Sequence, residues 1–214
     1  MDDAVRLIAT TTHGRILVRE ATARARGLLV GFHGYKENAA IMMRRLATIP
    51  RAAEWTLVSV QGLHRFYQGR TDEVIASWMT REDRELMIAD NVAYVDAVVE
   101  SVRGRASIPI VCAGFSQGVA TAFRAAVHGR AGADGVVAAG GDVPPELLAD
   151  VGARFPPVLL IRGERDDWYS QPKLDADLAA LSARGVPVAA TVVDGAHEWN
   201  DAVAEAAGQF IARL

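Results

Sequence analysis

The stretch Gly114-Phe115-Ser116-Gln117-Gly118 constrains this chain more than any other. An apolar run, Ile108-Pro109-Ile110-Val111-Cys112-Ala113, leads into it, and a small-residue run from Val119 to Val127 follows. The order predicts a strand, a tight turn and a helix, with a serine at the apex. That is the G-x-S-x-G pattern of a nucleophile elbow. Gly114 and Gly118 lack the Cβ atoms that would strike the adjoining strand and helix. The helix N-terminus aims amide dipoles at the hydroxyl. In a chain with 19 glycines the five residues alone say little. The bland reading is a Gly-rich turn with a serine cap, and the flanking periodicities argue against it.

The remaining elements alternate. Gly27 to Phe32 is a continuous apolar run, of the kind buried on both faces of a parallel sheet. Asn38 is placed to cap a helix through Ile41, Met42, Leu46 and Ile49, ended by Pro50. Further strands are expected at 54–60, 135–140, 157–161 and 187–193, and helices at 82–102, 174–184 and 198–214. Ala4 to Glu20 reads as a hairpin around Thr12-His13-Gly14, because Val5, Leu7, Ile16 and Val18 alternate with polar residues. Gln61 to Thr80 is the longest stretch without a clear period. The pattern predicts an α/β fold: a mostly parallel sheet of about eight strands with an N-terminal antiparallel hairpin, helices on both faces and no separate lid domain.

With 214 residues, one domain over 1–214 is expected. A net charge of −3 gives no electrostatic case for nucleic acid. No apolar run is long enough to span a bilayer. The acidic start Met1-Asp2-Asp3, with no apolar run after it, makes a soluble cytoplasmic protein the expectation. The one cysteine, Cys112, reads as a buried small hydrophobe in the strand before the elbow.

In parallel sheets, ligands bind beyond the C-terminal strand ends. Three strand exits carry Ser116, Asp166 and His197. A serine needs a base to take its proton, and an imidazole can do so near neutral pH. A carboxylate fixes the imidazole tautomer and stabilises its cation. Asp166 is the best-placed acid, with Asp167 and Asp142 as alternatives. An oxyanion would need two backbone donors, assigned to the N–H groups of Gln117 and Tyr35. His33 reads as a shaper of the Tyr35 loop rather than a base.

Together, His33-Gly34, Gly114-Phe115-Ser116-Gln117-Gly118, Gly163-Glu164-Arg165-Asp166 and Gly195-Ala196-His197 resemble the phospholipase/carboxylesterase branch of the α/β-hydrolase superfamily. Acyl-protein thioesterases and small bacterial carboxylesterases belong to it. The resemblance runs from the oxyanion loop to the last helix. It implies the α/β-hydrolase fold, a Ser116–Asp166–His197 triad, no cofactor, no metal, and hydrolysis of carboxylic esters or thioesters. The chain departs from the branch in two places. Tyr35-Lys36-Glu37 stands where a glycine-rich stretch is usual, and Arg162 stands where a histidine usually precedes the glycine. Dienelactone hydrolases share the architecture but generally use cysteine, and Ser116 counts against them.

The expected activity is therefore cleavage of esters with short or medium acyl chains. A thioesterase or lysophospholipase is the alternative within the class, and a non-catalytic hydrolase-fold binding protein the alternative outside it. Residues 61–84 are expected to form a small specificity segment over the site. Phe66, Tyr67, Trp78 and Trp168 are its pocket candidates, although Trp78 could equally pack a helix onto the sheet. The expected partner is a small-molecule ester, and a homodimer is left open.

Overall fold

In the computed structural model, residues 3–104 and 107–214 are described. In chain order the elements are β1 (Arg15–Arg19), β2 (Leu28–Phe32), α1 (Ala39–Thr48), β3 (Thr56–Gln61), β4 (His64–Tyr67), β5 (Val74–Ser77) and α2 (Arg84–Arg103). They continue with β6 (Ile110–Phe115), α3 (Gln117–His128), β7 (Gly135–Ala139), α4 (Pro145–Ala149), β8 (Val158–Gly163), α5 (Gln171–Ala183), β9 (Val188–Val193) and α6 (Asp201–Ile211). One sheet runs β1-β3-β2-β6-β7-β8-β9, and β4 and β5 form a separate ribbon. Among the described residues, only β1 is antiparallel to its neighbour in the large sheet.

Period-two alternation places successive strand residues on opposite faces. Leu28, Val30 and Phe32 of β2 pack with Val95, Val98 and Phe123 from α2 and α3. Leu29 packs on the other face with Met42 and Leu46 of α1 and Val203 and Ala207 of α6. Every residue of β2, β6 and β8 is buried, as continuous apolar runs between two helix layers should be. Cys112 lies in this core, and burial pushes its thiol up to about 12. Among the described residues, no helix is long and apolar enough to cross a membrane.

Among the described residues the large sheet has seven strands where about eight were expected, mostly parallel and with the expected antiparallel pair at its N-terminal edge. Two details need correction. That pair is not a hairpin within 4–20: β1 pairs with β3, and no strand precedes β1 among the described residues. A two-residue hairpin turn needs positive φ, and neither His13 nor Gly14 has it. Val5 and Leu7 are 88% and 59% exposed, so their alternation has nothing to pack against. Finally, 61–80 is not wholly irregular, because it contains the β4–β5 ribbon. An isolated bridge between Glu37 and Ala76 joins that ribbon to the loop after β2.

Candidate active site

The parallel strands β2, β6, β7, β8 and β9 end at one edge of the sheet, and the strand order brings the expected residues together there. Ser116 leaves β6 at φ 52°, ψ −122°, a conformation that L-residues rarely adopt and that costs roughly 1–3 kcal/mol. A Cβ on Gly114 would lie 2.5 Å from Val119 Cα, and one on Gly118 would lie 2.1 Å from Phe32 O. Both glycines are therefore required by close approach. The elbow turn is pressed into the helix it starts and against the end of β2.

Asp166 follows β8 and His197 follows β9. His197 Nε2 is 2.8 Å from Ser116 Oγ, and Nδ1 is 2.8 Å from Asp166 Oδ2. An ionised carboxylate only accepts, so the Nδ1 proton points at Asp166 and Nε2 is free to accept from the serine. The imidazole reaches over the end of β7. A Cβ on Gly140 would sit 3.1 Å from His197 Cε1, so the glycine leaves the space the ring needs. Phe115 and Trp168 lie 5.1 and 6.4 Å from the ring, centroid to centroid. Neither alternative acid takes that place: Asp142 lines the same cleft but pairs with Lys173 at 3.2 Å, and Asp167 is exposed.

Asp166 is 2% exposed. Its Oδ1 accepts from the backbone N–H groups of Trp168 and Tyr169 at 2.8 and 2.9 Å. Arg162, the residue that departs from the branch pattern, supports the same loop. Its Nε donates to Tyr169 O at 2.9 Å, and its Nη2 to Glu164 O and Asp166 O at 3.0 and 3.3 Å. The Tyr169 hydroxyl donates to Asp177 Oδ2 on α5 at 2.9 Å. Burial and this carboxylate raise the Tyr169 phenol strongly, and burial raises Asp177. A buried arginine at the end of an apolar strand was the sequence signal for this bracing, whereas Tyr169–Asp177 left none.

The oxyanion side is built differently. His33 Nδ1 donates to Gly34 O at 2.7 Å, and Nε2 accepts from Gly62 N–H at 3.0 Å. Both ring nitrogens are thus engaged in the neutral tautomer, and burial lowers the pKa below the usual histidine value. Trp78 Nε1 donates to His33 O at 2.8 Å. Glu37 accepts from Gly34 N–H at 2.7 Å and holds Arg45 with both oxygens. Arg45 in turn lies 4.2 Å over the Phe115 ring. The Gln117 side chain ties the elbow to the ribbon. Its Oε1 accepts from Trp78 N–H, and its Nε2 donates to Ser77 Oγ and Met79 O, all at 3.1 Å. The N–H groups of Tyr35 and Gln117 have no acceptor among the described residues.

The pocket candidates separate. Trp168 is 76% exposed and borders a cleft with Ser116 and His197. Phe66 and Tyr67 lie on the exposed β4, outside that cleft, with the Phe66 ring 6.4 Å from Tyr35. Trp78 is fully buried and packs edge-on to Phe32 at 5.6 Å, so it belongs to the core and not to an open pocket. Among the described residues, no group of three His, Cys, Asp or Glu side chains gathers as a metal site.

No family model matches the sequence, and no curated protein matches it. Solved structures do match along almost the whole chain. Acyl-protein thioesterase 2 of Zea mays superposes with a TM-score of 0.76 at 19% identity, over 94% of this chain and 99% of that one. The carboxylesterase of Mesorhizobium loti gives 0.73 at 19%, over 94% of both. Esterase PE8 gives 0.72 at 21%, over 94% and 98%. The chain has the α/β-hydrolase fold. In that fold the edge bearing Ser116, Asp166 and His197 is where ligands bind. The sequence resemblance and the structural one thus point to the same group of folds, although they rest on different observations.

Proposed function

We propose that the chain is a serine hydrolase that cleaves carboxylic esters of short or medium acyl length through an acyl-enzyme on Ser116. The observation that carries this reading is the unbroken hydrogen-bonded chain from Ser116 Oγ through His197 to Asp166. His197 Nε2 takes the hydroxyl proton as Oγ attacks the ester carbonyl. The imidazolium is stabilised by Asp166, whose other oxygen is held by two backbone N–H groups. The oxyanion collects at the unengaged amides of Tyr35 and Gln117. A donor of this kind is typically worth 10²–10³ in turnover, roughly 3–4 kcal/mol. His197 then protonates the departing alcohol, and water repeats the sequence on the acyl-enzyme.

The fold likeness to esterases and to an acyl-protein thioesterase supports a hydrolase and keeps thioesters as a second reading. We assign residues 61–84 the part of a specificity segment, because Gln117 fastens Ser77, Trp78 and Met79 directly to the elbow. The test is intact mass after a fluorophosphonate probe, wild type beside Ser116→Ala. A single adduct on the wild type and none on the variant is expected. A folded wild type that takes no adduct would remove the hydrolase reading in favour of a binding protein. A panel of esters and thioesters of graded length then separates the two substrate classes.

A further inference from the structure

The cleft beside Ser116 has a volume of about 300 Å³ and is lined with more positive charge than ester hydrolysis needs. Arg124 lies on α3, a helix whose other inward residues are mostly apolar. Its side chain is only 3% exposed. Its Nε and Nη2 donate to one oxygen of Glu146 at 2.8 and 2.6 Å. Arg84 approaches the other oxygen of that carboxylate at 3.2 Å. Two guanidinium groups therefore share one acid. Among the described residues, Arg124 Nη1 finds only the Met79 sulfur, at 3.7 Å. Lys173, which also lines the cleft, pairs with Asp142 at 3.2 Å. Three cations against two carboxylates leave one positive charge in excess, in a chain whose net charge is −3.

Packing does not account for this. Burying a guanidinium carries a desolvation penalty that its partners must offset, and an apolar residue of like volume often serves a helix interface as well. The placement points to a ligand instead. Gln117, Ala120 and Arg124 follow one another at spacings of three and four, which aligns them on one face of α3. The cleft runs along that face from the serine. Ala120 keeps its floor low. Arg124 is about 12 Å in helical rise from Ser116, and helical side chains lean back toward the N-terminus. The guanidinium thus lies a short chain's length from Oγ.

We propose that this cleft is an anion subsite that selects small esters bearing a carboxylate, held by Arg124 and Arg84 while the ester carbonyl lies at Ser116. The proposal rests on the reading of Ser116 as nucleophile. At about 30 Å³ per water-sized group, the cleft accepts roughly ten non-hydrogen atoms. That fits a monoester of a short dicarboxylic acid, or a short acyl ester of a hydroxy acid, and excludes a long acyl chain from this cleft.

Two matched pairs of substrates test it: phenyl hemiglutarate against phenyl pentanoate, and O-butyrylglycolate against propyl butyrate. In wild type, kcat/KM for the anionic member of one pair should exceed its neutral partner by tenfold or more, as for a charge-assisted hydrogen bond. The excess should shrink with added salt. A preference in the first pair places the carboxylate on the acyl side, and one in the second places it on the alcohol side. Arg84→Met should reduce the anionic rate far more than the neutral one. Arg130→Met, a change at a remote and 70% exposed arginine, should keep the ratio. Calorimetry with glutarate on Ser116→Ala supplies a readout independent of turnover. Glutarate binding that is lost with Arg84→Met, on a protein that cleaves no ester, would uphold the subsite and remove the hydrolase reading. Brisk cleavage with a ratio near one in both pairs, or no glutarate binding, overturns the subsite and leaves the hydrolase reading intact.

Discussion

Ser116 stands between two supports built in different ways. On the acid side, Asp166 is fixed by its own loop. The N–H groups two and three residues ahead bind one oxygen, and Arg162, four residues back, holds the loop carbonyls. On the oxyanion side the restraints come from afar. Trp78 reaches back to His33 and across to Gln117, and Arg45 reaches to Glu37 from α1. A support made within one loop forms as soon as β8 and the turn after it form. One made from distant side chains requires the whole edge to be assembled. The first should therefore fail sharply when a single group is changed, and the second by degrees.

The sharpest break is Asp166→Asn. The two backbone N–H groups will hold the amide oxygen in the place of Oδ1, which turns the NH₂ toward His197. The imidazole must then accept at Nδ1 and carry its proton on Nε2, where it cannot take one from Ser116. A fall in kcat of about 10⁴-fold is expected with the fold intact. A loss below tenfold, with melting unchanged, would show that Asp166 is not the group orienting the base. Arg162→Met comes next. It leaves the buried carbonyls of Tyr169 and Asp166 short of a donor, at about 1–3 kcal/mol for an unsatisfied group. We expect kcat to fall about 10- to 100-fold with KM little changed, because the residue positions the acid and does not touch substrate. Arg162→Lys should not restore it, since one ammonium cannot replace a planar fork with several donors. Full rescue by lysine would assign Arg162 a merely electrostatic part.

The oxyanion side answers more softly, and pH reads it. His33 has a lowered pKa in the folded protein, chiefly from burial, whereas in the unfolded chain it titrates near 6.5. Below that value the unfolded state binds the extra proton. The contribution of His33 is thus complete above about pH 6.5 and is lost as pH falls toward the lower folded value. One such proton gives a slope of at most about 1.4 kcal/mol per pH unit. Denaturant midpoints between pH 7.5 and 5 should fall more steeply in wild type than in His33→Asn. Parallel curves for the two proteins would remove His33 as the source.

The same contrast decides what could be read from the sequence. The parallel strands were legible because β2, β6 and β8 are continuous apolar runs, and being buried on both faces demands that. The three residues now hydrogen-bonded in a row were legible because each sits just past a strand end, in a recognisable order. The β4–β5 ribbon was not, because its hold comes from the bridge to Glu37 and from Gln117, forty residues away. The pairing of β1 with β3 instead of with an upstream strand was equally hidden, since alternation specifies a face but not a partner. The short α4, capped by Pro144 and opened by Pro145, spans five residues and is too short to show a helical period. Glu37–Arg45 and Tyr169–Asp177, each eight residues apart in the sequence, are ordinary charges and rings until folding brings them within hydrogen-bond distance.

The smallest effect tests whether the departure at Tyr35-Lys36-Glu37 carries a cost. Lys36 has φ +60°, a left-handed conformation that costs a residue with a Cβ roughly 1–2 kcal/mol. The backbone is held there because Lys36 N–H donates to Ala76 O at 3.1 Å, while Ala76 N–H donates to Glu37 O at 2.8 Å. The side chain itself is exposed and does little more than lie 5.4 Å over the Tyr35 ring. Lys36→Gly removes the strain but gives the unfolded chain more freedom, worth about 0.4–1 kcal/mol in the opposite direction. The difference favours the variant by at most about 1.6 kcal/mol and by about 0.8 kcal/mol at mid-range, a rise in Tm of roughly 2–3 °C at mid-range for a chain of this size. Turnover on a neutral ester should follow the loop geometry, which the Ala76 hydrogen bonds preserve. A lower Tm would mean that the Lys36 side chain stabilises the loop by more than its backbone strain costs. The long-range side of the site would then depend on that exposed residue as well as on its buried ones.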